Sequence, residues 1–388
     1  MMPDESKGAL TPSQSAAAAG GGDRPLRYML DTYLDWARRE GPPVHEGFAF
    51  NLLELETARW PRLGDGCSGA FVNLRGRGDW MTMFVIDIPP GATSAPQKHI
   101  YDEVFFVLSG HGSTVVETAD GNKHTFEWGP RSLFAPPLNA RYRIFNGSGR
   151  EPARLASTNN LGMLMNLFRS EGFIFDNPLT FPDREGPVGF YAGEGELTAV
   201  RPGRNLWETN FVADLGGFEV MAWEDRGAGS GNMQFLLTEG SIGAHISEMP
   251  VGTYKKAHRH EAGAHVVALN GTGYTLFWYE GDTDFVRIPW DYGWVFAPPA
   301  NMFHQNFNTG DKPARYLAYL FGTKRYPIIE ERRANSTTTR TDRSVKEGGR
   351  QIEYADQDPR IHAMWLKEIR ANDVPSRMGK HIDESALG

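Results

Sequence analysis

The fold is decided by two stretches: Gly252–His265, which reads GTYKKAHRHEAGAH, and Gly293–Asn308, which reads GWVFAPPANMFHQNFN. Together they hold four of the eleven histidines of the chain: His258, His260, His265 and His304. His258 and His260 are two residues apart, so on an extended strand both side chains leave the same face. Imidazole is the commonest side-chain ligand of metals, and several at one point suit a divalent transition ion. We therefore predict a metal site formed by all four histidines.

The first stretch resembles the first sequence motif of the cupin superfamily. In that motif five residues separate a glycine from H-x-H, and three or four residues separate H-x-H from a glutamate. A second glycine ends the motif. Gly252 and the H-x-H pair match this spacing, and Gly271 matches the closing glycine. His265 is assigned to the position that glutamate usually holds. The resemblance implies a metal at this motif, with a histidine in place of the carboxylate ligand.

The second stretch resembles the second cupin motif. Gly293, Pro299, His304 and Asn308 match it, whereas Asn301 replaces the usual glycine. The resemblance implies a small double-sheet β-barrel of the jelly-roll type whose mouth holds the metal.

The chain also contains an internal repeat. Placing Gly91 on Gly252 aligns the first motif without gaps, and a short resynchronisation brings the FAPP at 134–137 onto the FAPP at 296–299. Two cupin units in one chain make a bicupin. We therefore predict an all-β fold of two cupin barrels (double-stranded β-helix, or jelly-roll) with short N- and C-terminal helical extensions.

The ligand positions differ between the two units. Opposite the four histidines the first unit has Gln97, His99, Val104 and Tyr142. A single histidine with a valine and a tyrosine forms no ordinary metal site. We expect one divalent metal ion per chain, in the second barrel, with the first barrel degenerate.

The boundaries expected from the sequence divide the chain into six parts. They are a disordered tail (1–25), an N-terminal helical cap (26–47), barrel 1 (48–161), a connector wrapping the barrels (162–231), barrel 2 (232–326) and a C-terminal arm and helix (327–388). The C-terminal helix has two possible positions, across a subunit interface or on its own barrel.

Composition narrows the class of protein. The 388 residues are 40% hydrophobic and 12% aromatic, which is enough to form buried hydrophobic cores. The net charge of −8 carries no electrostatic signature for nucleic acid. The single cysteine, Cys67, permits no intrachain disulfide and fits a reducing compartment. No apolar run approaches a membrane span. We expect a cytoplasmic homo-oligomer, a dimer or higher, that acts on a small molecule.

The chemistry follows from the predicted ligands. Neutral imidazoles leave the charge of a divalent ion uncompensated, so the centre favours an anionic or chelating substrate: a phenolic, an enol or diketone, or a carboxylate. The first hypothesis is a non-haem Fe(II) dioxygenase, with Mn(II), Ni(II) or Zn(II) as other possible ions. The alternatives are a non-redox lyase, isomerase, cyclase or decarboxylase, and a binding or storage bicupin with a structural metal. The sequence assigns no catalytic residue beyond the ligands.

Overall fold

The computed structural model describes residues 31–323, 325 and 340–384. The predicted disordered tail lies outside these residues, as does part of the predicted C-terminal arm. Within these residues the α-helices are α1 (Thr32–Glu40), α2 (Leu161–Phe168), α3 (Glu171–Phe175) and α4 (Pro359–Ala371). None of the described helices is long and apolar enough to span a membrane.

Strands dominate the described chain, which confirms the predicted all-β class. In the N-terminal half they are β1 (Val44–Gly47), β2 (Ala49–Asn51), β3 (Ala58–Arg59), β4 (Ser68–Leu74), β5 (Thr82–Ile88), β6 (Glu103–Ser109), β7 (Gly112–Glu117), β8 (Lys123–Trp128), β9 (Leu133–Phe134), β10 (Arg141–Asn146) and β11 (Ala153–Asn159). The middle segment contains β12 (Glu196–Arg201), β13 (Arg204–Thr209), β14 (Phe211–Val212) and β15 (Met221–Ala222).

The remaining strands follow in the C-terminal half. They are β16 (Gly231–Leu237), β17 (Ile242–Met249), β18 (Ala257–His258), β19 (Ala264–Asn270), β20 (Gly273–Trp278), β21 (Val286–Trp290), β22 (Trp294–Phe296), β23 (Phe303–Asn308), β24 (Ala314–Phe321) and β25 (Gln351–Ile352).

Each half forms a barrel from one large and one small sheet. In the first barrel the large sheet runs β1-β4-β5-β11-β6-β9-β14, with β3 beside β4, and the small sheet runs β10-β7-β8. In the second barrel the large sheet runs β12-β13-β16-β17-β24-β19-β22-β2, with β15 beside β16. Its small sheet runs β21-β20-β23-β18-β25. The chain therefore has the predicted fold of two cupin barrels.

The two barrels exchange strands at their edges. β2, placed in barrel 1 by the sequence, pairs with β22 of the second barrel. β14, placed in the connector, pairs with β9 of the first barrel. The predicted start of barrel 1 at residue 48 stays a prediction. Short edge strands near such a boundary can join either barrel, because edge pairing depends on which strand edge is free in three dimensions.

The large sheets of the two barrels share one apolar core. Phe106 of the first barrel and Leu317 of the second belong to the same buried cluster, together with Val85 and Val267. The interiors of the barrels form separate clusters. The two barrels are thus joined by a continuous core and not by a linker alone.

The glycine that closes each cupin motif lies where another strand passes very close. Gly271 has φ +75°, and a Cβ on it would lie 2.8 Å from the Ala314 Cα. Gly110 has φ +88°, and its Cβ would lie 2.7 Å from the Ala153 Cα. Left-handed backbone and close approach together require glycine, which explains why both halves of the repeat keep it.

The C-terminal helix packs on its own barrel. Asp358 caps α4 by accepting a hydrogen bond from the Arg360 N–H, and Pro359 occupies its first turn. Its buried face, which includes Trp365, joins Tyr254 and Phe307 of the second barrel in one cluster. Of the two positions left open by the sequence, the structure therefore places this helix against its own barrel.

Candidate metal centre

Three histidines meet at the mouth of the second barrel. His258 on β18 and His304 on β23 are direct cross-strand partners, and His260 follows two residues after His258. The potential ligand atoms of the three rings all lie within 4.8 Å of one another. The ring centroids of His258 and His304 are 4.1 Å apart, and those of His260 and His304 are 4.8 Å apart. Strand alternation and one antiparallel pairing are sufficient to bring them together.

The protonation of these rings fits metal binding. Burial, followed by the charge of Arg226, holds the pKa of His258 well below its usual value. Burial and the neighbouring His260 do the same to the pKa of His304. Both rings are therefore neutral at physiological pH and have lone pairs to offer.

Backbone contacts orient the ring of His260, and His258 has an unused ring nitrogen. The His260 Nδ1 lies 2.6 Å from the Glu261 carbonyl oxygen, so it donates there and leaves the lone pair on Nε2. The buried Nδ1 of His258 has no hydrogen-bond partner within the described structure. Burying such a group costs free energy unless a ligand compensates it. The three side chains thus fit a divalent transition ion.

Among the described residues the cluster contains His258, His260 and His304 but not His265, so the predicted four-histidine shell is not confirmed. His265 lies on β19, whose residues alternate between the cavity and the core shared by the two barrels. Ala264 and Val266 line the cavity, whereas Val267 belongs to the shared core. Burial, with a smaller contribution from Arg77 of the first barrel, lowers the pKa of His265 to about 3. His265 is a buried neutral residue facing the first barrel.

Ala264 therefore takes the position that the cupin motif gives to glutamate. The motif allows three or four residues between H-x-H and the glutamate, so spacing alone permits both Ala264 and His265. The alternation of β19 decides for Ala264, since its side chain faces the cavity. The candidate centre has three histidines and an alanine, not a carboxylate, at the fourth position.

The repeat places Glu103 of the first barrel opposite Ala264, and this glutamate organises a different kind of centre. The Glu103 carboxylate accepts hydrogen bonds from the Tyr142 hydroxyl at 2.6 Å and from the Ser157 hydroxyl. The His99 Nε2 lies 3.0 Å from the same carboxylate. All four side chains are buried, and the neighbouring cavity measures about 10 Å³. In the first barrel, hydrogen-bonded side chains thus occupy the place that corresponds to the candidate metal site of the second.

A cavity of about 580 Å³ opens beside the three histidines. Much of its wall comes from segments outside the cupin motifs, which sequence reasoning missed. These wall residues are Trp80 from the first barrel, Arg204, Trp223 and Arg226 from the middle segment, and Thr341 and Arg350 from the C-terminal segment. Tyr254, Trp278 and Phe303, which flank the histidines in sequence, belong instead to the core under α4. The one sequence feature that indicated a contribution from outside the motifs was the middle segment, which is too long for a simple linker.

The charged wall residues are tied to the C-terminal segment. Arg226 is 4% exposed and donates to the Thr341 carbonyl oxygen at 2.8 Å and to Asp342 at 3.0 Å. Asp342 also forms ion pairs with Arg201 and Arg204. Three guanidinium groups thus share one buried carboxylate. At the cavity mouth Arg350 pairs with Glu261 at 2.9 Å.

A tyrosine of the same wall forms a cation–π contact with a buried lysine. Tyr316 on β24 lines the cavity, and the Lys255 Nζ lies 5.0 Å from its ring centroid and donates to the Ser247 hydroxyl. Burial raises the pKa of Tyr316, but the Lys255 ammonium and hydrogen bonds with Ser247 and Lys255 outweigh it, so the net pKa lies below its usual value. Burial lowers the pKa of Lys255. Groups with such shifted pKa values in a cavity are candidates for proton transfer.

Comparisons with known proteins find similarity in solved structures. No protein-family model matches the chain, and no curated protein matches it. The chain is similar to the oxalate decarboxylase of Lactobacillus farciminis in its formate complex, with 12% identity and a TM-score of 0.47 over 71% of this chain and 86% of that chain.

Oxalate decarboxylase structures from Bacillus subtilis are similar to the same degree. A tryptophan-to-tyrosine variant has 14% identity and a TM-score of 0.47 over 72% of this chain and 78% of that chain. A structure from work on the Mn(II) centres of that enzyme has 15% identity and a TM-score of 0.46 over the same shares. At this level of similarity the function has to be argued from the side chains of this chain.

Proposed function

We propose that this bicupin is a metal-dependent enzyme that acts on a small anionic molecule in the cavity of its second barrel. The observation that carries the proposal is the cluster of His258, His260 and His304, three imidazoles whose potential ligand atoms lie within 4.8 Å of one another. The cluster opens into a cavity of about 580 Å³, which is large enough for a small substrate.

The three histidines would hold a divalent transition ion, with Fe(II) and Mn(II) as the first candidates and Ni(II) or Zn(II) as others. Such an ion supplies Lewis acidity and, if it is iron, a route to dioxygen chemistry. Three protein ligands leave several positions for a chelating substrate. Because the ligands are neutral and Arg204, Arg226 and Arg350 line the same cavity, an anionic substrate is favoured.

The proposed reaction is a non-redox one, a decarboxylation or related lyase or isomerase step that requires proton transfer. The observation that favours it is the contact between Tyr316, a residue of the cavity wall, and the buried Lys255. The lowered pKa of Tyr316 makes it a better proton donor than an ordinary tyrosine. The Lys255 ammonium stabilises the phenolate that remains after the proton leaves.

A non-haem Fe(II) dioxygenase is the second candidate, and a different observation favours it. Ala264 leaves the fourth ligand position without a carboxylate, so more positions stay available for a chelating substrate and a second reactant. A storage or binding bicupin is the least supported, because the cavity retains both the histidine cluster and an acid–base pair.

The first experiment measures metal content. Protein purified without added metal is analysed for its elements, beside the His258→Ala and His304→Ala variants. We expect one ion per chain in the parent and a large loss in both variants. His265→Gln is the matched control, because His265 faces the other barrel, and it should retain the ion. Equal metal content in all four proteins would contradict the proposal.

The second experiment separates the reaction classes. Metal-loaded protein is screened against small carboxylates, phenolics and diketones, with carbon dioxide release and oxygen consumption followed in parallel. A non-redox enzyme converts its substrate without oxygen and depends on Tyr316, so Tyr316→Phe should lower kcat about 100-fold or more. Stoichiometric oxygen consumption, with Tyr316→Phe active, would instead establish the dioxygenase.

A further inference from the structure

Arg204 lies in the cavity wall with its hydrogen-bonding capacity largely unused. Its guanidinium carbon lies 3.4 Å from the centroid of the Trp223 ring. The acceptors nearest its terminal nitrogens are distant, with Asn232 Oδ1 at 3.5 Å and Asp342 Oδ1 at 3.6 Å. Its buried Nε has no hydrogen-bond partner within the described residues. Trp223 thus holds the guanidinium group of Arg204 in position. Within the described residues, the N–H groups of Arg204 have few and long contacts with acceptors.

Arg204 lies among other cationic side chains in the described part of the chain. Asp342 is the carboxylate that Arg204 shares with Arg201 and Arg226, so three cations contact one anion. Burial lowers the pKa of Arg204 to about 9, although Asp342 opposes this effect, and the group stays protonated at neutral pH. Burying a cation without full compensation costs free energy, which a bound anion would recover.

Gln234 provides a second unused donor in the same wall. It lies on β16, which pairs in parallel with the strand of Arg204, and it is 8% exposed. Its amide nitrogen is buried without a hydrogen-bond partner in the described part of the chain. Gln234 and Arg204 both line the cavity that contains the three histidines. Two incompletely satisfied polar groups in one cavity indicate a ligand that accepts hydrogen bonds.

We propose that Arg204 and Gln234 form a subsite for a carboxylate of the substrate, separate from the group that would reach the histidines. The inference rests on the proposed function and narrows its substrate class to a chelating molecule that carries an additional carboxylate. A carboxylate fits better than a rounder anion, because the guanidinium lies flat on Trp223 and a planar acceptor can take two of its N–H groups in one plane.

The test compares two chelating probes that differ by one carboxylate. Catechol and 3,4-dihydroxybenzoate are titrated by calorimetry into protein loaded with one equivalent of Mn(II). We expect the parent to bind 3,4-dihydroxybenzoate about 10- to 100-fold more tightly than catechol, the usual range for a hydrogen-bonded charged group. Arg204→Gln should abolish that advantage while the metal content stays unchanged.

Two further variants keep the test decisive. Gln234→Leu, which is close to isosteric, should reduce the advantage without disturbing the ion pairs of Asp342. Arg141→Gln, an exposed arginine on β10 of the first barrel, is the matched control and should retain it. The inference is wrong if the parent binds both probes equally, or if Arg204→Gln and Gln234→Leu both keep the advantage.

A metal-free arm separates failure of this inference from failure of the proposed function. Benzoate, which has the carboxylate but no chelating group, is titrated into the metal-free parent and into Arg204→Gln. Weaker binding to the variant supports the subsite even if the histidines take no ion. Equal binding to both proteins counts against the subsite, whatever the metal content.

Discussion

At the scale of single residues, Ala264 leaves the candidate metal centre without a carboxylate. It faces the cavity beside the three histidines, at a position where the cupin motif usually has a glutamate. Its counterpart in the repeat, Glu103, retains the carboxylate but uses it to accept hydrogen bonds from Tyr142 and Ser157. One barrel thus has imidazoles without a carboxylate, and the other has a carboxylate with a single imidazole.

Ala264→Glu should therefore add a ligand and lower the net charge of the centre by one unit. We expect Mn(II) to bind more tightly and catechol, as its anion, to bind about tenfold more weakly, which corresponds to ~1.4 kcal/mol. Calorimetric titration of metal and then of catechol measures both. Ala264→Gln is the control for side-chain size, and a similar response in the two variants would show that charge at this position is unimportant.

Glu103→Gln tests whether the first barrel uses its polar cluster for stability. The neutral amide cannot accept the same hydrogen bonds as the carboxylate, so buried donors from Tyr142 and Ser157 lose partners. We expect a loss of about 1–3 kcal/mol in the free energy of unfolding, measured by denaturant titration, with metal content unchanged. Loss of an ion from this variant would instead reveal a second metal site in the first barrel.

At the scale of elements, the C-terminal segment completes the second barrel. β25 adds to the small sheet beside β18, the strand that holds His258. Asp342 anchors the segment to Arg201, Arg204 and Arg226. The segment therefore couples the cavity wall to the metal centre through one buried carboxylate.

The anchoring by Asp342 should depend on pH. Burial raises the pKa of Asp342, but Arg226, Arg204 and Arg201 outweigh it and hold the pKa well below the ordinary 3.8. A depressed pKa stabilises the fold above the unfolded-state value, and this stabilisation disappears as the pH falls through the folded-state value. Asp342→Asn should thus cost about 3–5 kcal/mol at neutral pH, and the difference from the parent should shrink below about pH 4.

Thermal unfolding of parent and Asp342→Asn between pH 2.5 and 7 measures this difference. Asp311→Asn is the matched control, since Asp311 is exposed at a turn, and it should follow the parent at every pH. A gap between parent and Asp342→Asn that stays constant over the whole range would rule out titration of Asp342 as its cause.

At the scale of the whole molecule, the two barrels are joined by packing and by strand pairing. They share a buried core that contains Phe106 and Leu317, and each large sheet includes an edge strand from outside its own half, β2 in one and β14 in the other. The mouth of the second barrel also includes Trp80 of the first, which stacks on Phe321. The predicted homo-oligomer stays a prediction.

Because the core is shared, a cavity made on either side should destabilise both barrels together. Phe106→Ala and Leu317→Ala should each cost about 2–5 kcal/mol and shift a single calorimetric transition downward. Leu197→Ala, at a residue that is 50% exposed, is the control and should be nearly neutral. Two separate transitions, of which each variant moves one, would show that the barrels unfold independently.

The sequence by itself was sufficient for the fold and for most of the centre. Spacing of two residues between His258 and His260 is a local property of a strand, and the repeat of motif and turn residues is visible without coordinates. The left-handed backbone of Gly271, with φ +75°, favours glycine at this turn. These features depend on short-range geometry, which the order of residues determines directly.

Tertiary structure decided which face of β19 meets the cavity and which distant segments close it. Spacing allowed both Ala264 and His265 as the fourth position, and a shift of one residue along a strand exchanges its two faces. Arg204 and Asp342 reach the site through pairings between segments far apart in the chain. Such pairings depend on which strand edges and buried charges still lack partners once the barrels have formed. A local sequence pattern does not contain this information.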